Sequence, residues 1–370
     1  MRIRNTKDTK LRKLLRVRMF VIFVFRIQLD LYFMSQIFHI AKNKEILETR
    51  FEIIKLIREF FWSKNFIEVE TPLLIKYPGQ EPNISAIETI FHNEQKQEFR
   101  GYLHTSPEYA MKKMLAAGFQ NIFYLGKTFR DEESFGGTHN PEFTMLEYYR
   151  TGVDMFILMK DVEELFKFLE ERFSRNGERV MRNEDKNFKF LRITMRDLWL
   201  KIIDINLDEY LTREKMWELC KEKKYNVEEN ENYEELFYRI FLQEIEPELK
   251  NMGSVIVYNY PAQMASLSKL SETNPNYAER FEVYIDGLEL ANAFSELTDN
   301  QEQLKRLEAE QKERERQGKK VYEIDMDFIE AVGQMPNSAG IALGVDRLVQ
   351  LFTSCQNINN VLTLPMSKLF

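Results

Sequence analysis

The stretch FRDEESFGGTHNPEF, residues 129–143, sets Arg130 and a run of acids ahead of a polar, glycine-containing loop and ends on Phe143, which opens an apolar run. The planar fork of Arg130 suits a phosphate. Glu132 offers an acceptor to an exocyclic amine, and the flat face of Phe143 can lie under a base. A planar ring with a charged tail fits this set, and ATP is such a molecule. The same residues fit an exposed turn with a surface salt bridge equally well.

Two further stretches bear on the choice. In GIALGVDRL, Gly340 and Gly344 flank a short strand and Arg347 opens a helix. Glycines admit close approach of a ligand to backbone, and a cation beside them suits a polyphosphate. The alternative is a core strand followed by an Asp346–Arg347 ion pair. In GLELANAFSE, Glu289, Asn292 and Glu296 interrupt an apolar strand. Carboxylates there are costly unless they meet a cation. Mg²⁺ on phosphate oxygens would serve, as would a substrate ammonium. Glu289 and Glu296 lie an odd number of residues apart, so sharing one face requires a bulge or bend near Ala291 and Ala293.

The elements that must position these groups follow from pattern. Leu47, Phe51, Ile54, Ile57 and Phe61 have helical spacing across residues 46–65. FIEVETPLL then reads as a strand broken by Pro72. In TSPEYAMKKMLAAG, Ser106 caps a helix, Pro107 takes its first position and Gly118 stops it. Residues 121–151 read as a long antiparallel hairpin, with Phe143, Met145, Glu147 and Tyr149 on one strand face. Residues 154–173 read as a helix, 175–250 as a charged, mostly helical segment, and 299–317 as a solvated helix. Asp286-Gly287 marks a hairpin between two strands. Antiparallel hairpins separated by helices imply an α+β fold.

The chain has 370 residues, 44% hydrophobic and 30% charged, enough for a large core. A net charge of −7 argues against a protein that wraps DNA or other nucleic acid. Cys220 and Cys355 lack metal-ligand spacing and the histidines form no close pair, which points to a reducing cytoplasm. The N-terminus is basic, then apolar from Met19 to Phe25. That run is too short for a membrane span, which needs about 20 residues, and no cleavage site follows it. Residues 1–33 are expected to be upstream translation or a disordered extension, with 34–370 as one catalytic domain.

Arg50 to Pro72, FRDEE…HNPEFTMLEYY and GIALGVDRL, in this order, resemble motifs 1, 2 and 3 of the class II aminoacyl-tRNA synthetase catalytic core. The likeness runs from about residue 44 to the C-terminus, and HNPEFTMLE with GLELANAFSEL is of the lysyl type. The resemblance implies an antiparallel sheet flanked by helices. It implies that Arg130, Arg347 and Glu289 act in catalysis, with Arg130 on the α-phosphate and Arg347 on the γ-phosphate. Asp131 (where asparagine is more usual), Glu132, Asn140, Phe143, Glu289, Leu290 and Gly344 would complete an ATP site. Ser106, Glu108, Tyr149, Asn292, Glu296 and Ala342 would line the amino-acid pocket. Glu289 and Glu296 would hold Mg²⁺ or the substrate amine.

No oligonucleotide-binding anticodon domain is expected in so short an N-terminal stretch. TSPEY, PAQMASLSKL and Ala342 are similar to the family of stand-alone lysyl-type paralogues that modify elongation factor P. That family implies ATP, Mg²⁺, β-lysine or lysine as substrate, elongation factor P as acceptor in place of tRNA, and a homodimer through motif 1. A minimal lysyl-tRNA synthetase is the alternative.

Overall fold

The computed structural model describes residues 35–175 and 188–370. The expectation for residues 1–33 therefore lies outside the described residues. Among the described residues eleven strands run in chain order as β1 (Ile67–Glu68), β2 (Leu74–Ile75), β3 (Glu88–His92), β4 (Glu98–Leu103), β5 (Ile122–Phe129), β6 (Glu142–Thr151), β7 (Phe190–Thr194), β8 (Ser254–Pro261), β9 (Tyr277–Ile285), β10 (Leu288–Ser295) and β11 (Ser338–Gly344). Eight make one sheet in the order β1-β5-β6-β11-β10-β9-β8-β7, and β2-β4-β3 make a second. The central strands are antiparallel, while β1 on β5 and β7 on β8 close the two edges in parallel. The fold is α+β, as expected.

Alternation along the central strands separates core from site. Leu146 and Tyr148 of β6 and Ile341 and Leu343 of β11 are buried on one face. They meet Ile53, Ile57 and Phe61 of the helix Lys44–Ser63, Val162 and Phe166 of Met155–Arg175, and Leu348 and Phe352 of Val345–Thr353. Truncating such a core leucine to alanine costs about 2–5 kcal/mol. Phe143, Met145, Glu147 and Tyr149 point to the other face, which is left to form a cavity floor. Asp286 (φ 52°) and Gly287 (φ 80°) close the β9–β10 hairpin in the left-handed region, as a two-residue turn requires.

The break at Pro72 held, and two expectations needed correction. FIEVETPLL is broken at Pro72: Val69 donates the last ladder bond to Phe123, and Pro72, which has no N–H, cannot continue it. Beyond residue 187 the segment 175–250 is mostly helical but also contributes the edge strand β7. Trp199, Phe237 and Phe241 from its helices pack on Val255, Val257 and Tyr284 of β8 and β9 as a second core. The helix Asn300–Arg316 is not merely solvated, because Leu307 and Arg314 on it are fully buried.

Candidate active site

A cavity of about 840 Å³ opens over the polar face of the sheet. Its phosphate-binding end is built from the ends of β5, β6 and β11. Arg130 follows β5, and its guanidinium lies over the Phe143 ring at 5.1 Å from the centroid. Arg130 Nε is buried and donates to nothing. Burial lowers its pKa, with Arg347 adding to that and Glu133, Glu81 and Glu289 opposing it. A buried guanidinium with a free donor is poised for an anion.

Arg347, in the first turn of the helix Val345–Thr353, donates to the carbonyls of Glu289 (2.9 Å) and Thr138 (3.3 Å). It also donates to Nε2 of His139 at 2.7 Å. Because a guanidinium only donates, the His139 proton sits on Nδ1, which faces Glu133 at 3.6 Å. Burial, then Arg347, holds the His139 pKa below its ordinary value.

Both arginines rest on a buried clamp. Arg50 donates to Asp346 Oδ1 (2.5 Å) and Thr144 Oγ1 (2.7 Å), and the Thr144 amide donates to Asp346 Oδ2 at 3.0 Å. The clamp joins the helix Lys44–Ser63 to the residues beside Phe143 and Arg347. Asp346 therefore pairs with Arg50 and not with Arg347. Removing one partner of such a buried pair costs about 3–5 kcal/mol.

The amino-acid end is carboxylate-rich. Glu147 is buried and accepts from Ser106 Oγ and Tyr149 Oη, both at 2.7 Å. Burial, then Glu108, pushes its carboxyl up to about 8, against Ser106, Tyr149 and Lys112. Lys112 Nζ lies 2.6 Å from Glu108 and 2.6 Å from Glu296. Burial would lower the Lys112 pKa, but the two carboxylates overcome it and raise it. Burial pushes Glu296 up to about 7, with Lys112 opposing. Gly340 lies between these groups: a Cβ there would meet Tyr149 Cε1 at 2.2 Å and Glu296 Oε1 at 2.6 Å. Ala342 lines the floor, paired with Glu147 on one side and Asn292 on the other.

The bulge required by the spacing of Glu289 and Glu296 is present. Pairing of β10 with β9 slips between Glu289 and Ala291, leaving Leu290 unpaired. Glu289 is thereby brought to the face that carries Asn292 and Glu296. The two carboxylates still cannot share one ion, because they stand at opposite ends of β10, roughly 20 Å apart along the strand. The carboxylate beside Glu289 is Glu282, held by Arg280 (2.7 Å), Tyr260 (2.7 Å) and Tyr284 (2.5 Å). Desolvation in the cavity, then Glu282, pushes the Glu289 carboxyl up to about 7, opposed first by Arg347. A divalent cation would relieve this repulsion. Among the described residues no three His, Cys, Asp or Glu side chains converge on a metal position. A cation here would thus be completed by phosphate oxygens, as Mg²⁺ commonly is.

The cavity gathers Arg130, Asn140, Phe143, Glu289, Leu290, Gly344 and Arg347 with Ser106, Glu108, Tyr149, Asn292 and Ala342. Three expected residues fall outside its lining. Asp131 and Glu132 are exposed, and Glu132 accepts from Ser85 Oγ at 2.6 Å instead of facing a base. Glu296, on the same face, is buried outside the lining and paired with Lys112. Asn140 lines the cavity, but its amide is committed to backbone, donating to Glu142 (2.7 Å) and accepting from Met366 (3.0 Å). Ser106 is not the N-cap and Pro107 not the first helical residue: the helix begins at Glu108 with Pro107 in the cap position, and Ser106 Oγ accepts from the Glu108 N–H.

Glu147 was placed on the right strand face but given no role from sequence, and Glu282 and Lys112 were not singled out. Glu282 carried the same signal as Glu289, a carboxylate in an apolar strand. Lys112 stands four residues after Glu108, the spacing that brings two side chains together on one helix face.

The model of the family described as tRNA synthetases class II (D, K and N) matches residues 26–368. A relative from Avibacterium paragallinarum named elongation factor P–(R)-β-lysine ligase is 37% identical over 324 residues, 87% of this chain and 95% of the relative. Relatives of the same name from Yersinia enterocolitica (36% identical; 86% of this chain, 94% of the relative) and Mannheimia succiniciproducens (35%; 87% and 95%) extend the likeness. The chain belongs to the class II tRNA synthetase family, in the branch of the elongation factor P–(R)-β-lysine ligases.

Proposed function

We propose that this protein uses ATP to activate (R)-β-lysine, or lysine, and transfers it to a lysine ε-amine of elongation factor P. The observation that carries this reading is the single cavity in which the Arg130–Phe143–Arg347 end adjoins the Glu108–Glu147–Tyr149 end. The first end suits a base and a polyphosphate, and the second suits ammonium groups. A substrate bound across both would present its carboxylate to the α-phosphorus.

In this reading Phe143 stacks on adenine, and Arg130 stabilises charge on the α-phosphate as the carboxylate attacks and pyrophosphate leaves. Arg347 holds the γ-phosphate. Glu282 and Glu289 would hold Mg²⁺, which when bound neutralises charge on the phosphates. Glu147, fixed by Ser106 and Tyr149, and Glu108 receive the substrate amines. Catalysis is then mainly positioning and electrostatics.

A homodimer belongs to the same reading, with tRNA not the acceptor and a cytoplasmic location. The helix Lys44–Ser63 and the strand after it expose Phe51, Trp62 and Ile67, each more than half exposed, on a surface suited to a second copy. Among the described residues no helix is long and apolar enough to cross a membrane, and both cysteines are free thiols.

The test is transfer of radiolabel with purified protein, ATP and Mg²⁺. α-Lysine and (R)-β-lysine are each offered with unmodified elongation factor P or with total tRNA. Label on elongation factor P, greater with β-lysine, is expected. Label on tRNA alone would overturn the reading in favour of a lysyl-tRNA synthetase.

A further inference from the structure

Transfer to an ammonium acceptor needs a proton acceptor, and the loop before β3 supplies a candidate outside the residues assigned above. We propose that Glu81 is the group that takes the proton from the acceptor amine. This rests on the acceptor reading just given.

Glu81 lines the cavity with Pro82, Asn83 and Ile84, and Asn83 is exposed, so the loop runs between the mouth and the interior. Its Oε2 is buried and takes no hydrogen bond. The carboxylate lies within electrostatic reach of Glu108 and Arg130 together. In an aminoacyl-adenylate the carbonyl carbon lies between the amine end and the α-phosphorus. Glu108 marks the first and Arg130 the second, and Glu81 lines the same cavity as both.

Nearby carboxylates are committed elsewhere. Glu147 has a donor on each oxygen, Glu108 and Glu296 share Lys112, and Glu133 faces His139. The Glu81 loop is also rigidly held. Buried Arg314 donates to the carbonyls of Glu81 (2.7 Å) and Ile84 (2.9 Å), and Lys319 to that of Pro82 (2.7 Å). Asp131 N donates to the Ser85 carbonyl at 2.8 Å, and Ser85 to Glu132. The two acids expected to touch ATP instead fasten this loop to the Arg130 hairpin.

The charged and titratable groups around Glu81 are Glu108, Arg130, Arg314, Tyr109 and Glu310. Burial, then Glu108, holds its carboxyl above the ordinary carboxylate value, with its own backbone N–H and the two arginines opposing. That is the direction a proton acceptor needs.

The step balances as follows. The acceptor ammonium gives one proton to Glu81 and becomes an amine. Its nitrogen attacks the carbonyl carbon, and the bond from that carbon to the phosphate oxygen breaks, its electron pair leaving with AMP. The new C–N bond becomes an amide as the nitrogen loses a second proton, which leaves through Glu81 once the first has passed to water.

Glu81→Gln separates this role from activation. Two acceptors are offered to preformed enzyme–adenylate in single turnover: unmodified elongation factor P, and hydroxylamine, which is neutral near pH 7 and attacks without first losing a proton. We expect hydroxamate formation within about 2-fold of wild type and transfer to elongation factor P slowed by about 10²–10⁴-fold, with Glu81→Asp recovering part of the loss. Transfer within a few-fold of wild type, or an equal fall with both acceptors, overturns the assignment. A wild-type enzyme that forms hydroxamate but never labels elongation factor P overturns the acceptor reading itself, and that failure shows before any variant is compared.

Discussion

Lys112 Nζ lies 2.6 Å from Glu296 Oε2, with both side chains withdrawn from solvent and the second oxygen contact supplied by Glu108. The pair adjoins the amino-acid end of the cavity through Glu108, which lines it. It sets how many negative charges that pocket shows to a substrate carrying two ammonium groups.

Lys112→Met would leave Glu108 and Glu296 without their shared cation. Breaking a buried pair in this way costs about 3–5 kcal/mol. A lower urea midpoint is expected, with part of the loss recovered in the double variant Lys112→Met/Glu296→Gln. An unchanged midpoint would show that the pair is not structural.

Ala342→Gly removes a methyl between Glu147 and Asn292. A single methyl in a pocket is worth about 1–3 kcal/mol of discrimination, or 10–200-fold. The ratio of kcat/KM for β-lysine over α-lysine is expected to fall by about 10-fold or more. An unchanged ratio would remove Ala342 from the determinants of specificity.

Arg130→Ala and Arg347→Ala should separate in kinetics. Arg130 lies where charge develops, and loss of such a donor costs about 10²–10³ in kcat. Arg347 holds the far end of the polyphosphate, so its loss should appear mainly as a higher KM for ATP. Substrate-dependent exchange of pyrophosphate into ATP measures both.

The Glu147 carboxyl, ordinarily near 4.5 and pushed up to about 8, links stability to pH. Between those values the native state keeps a proton that the unfolded chain has lost. Native stability therefore falls as pH rises across the window and levels off above about 8. Glu147→Gln should flatten that part of the stability profile. Affinity for the substrate amine should rise in wild type as pH approaches 8, and should lose that rise in the variant.

Much of the site was legible because strand alternation is strict. Phe143, Met145, Glu147 and Tyr149 were placed on one face from sequence, and all four line the cavity. The spacing of Glu289 and Glu296 demanded a bulge, and the bulge lies between Glu289 and Ala291. The partnership of those two carboxylates was not legible. Which residues stand beside each end of β10 depends on β9, on Lys112 and on Arg347, all distant in the chain.

The local pattern of residues determined the α+β architecture, the hairpins, the helix that carries Arg347 and the family. These depend on periodicity and turn chemistry acting within a few residues. Only the tertiary structure decided that Glu282 and not Glu296 stands beside Glu289, that Lys112 neutralises Glu296, and that Asp131 and Glu132 fasten the loop bearing Glu81. A charged side chain is assigned by the partner that compensates its desolvation, and that partner comes from whichever segment the fold brings alongside.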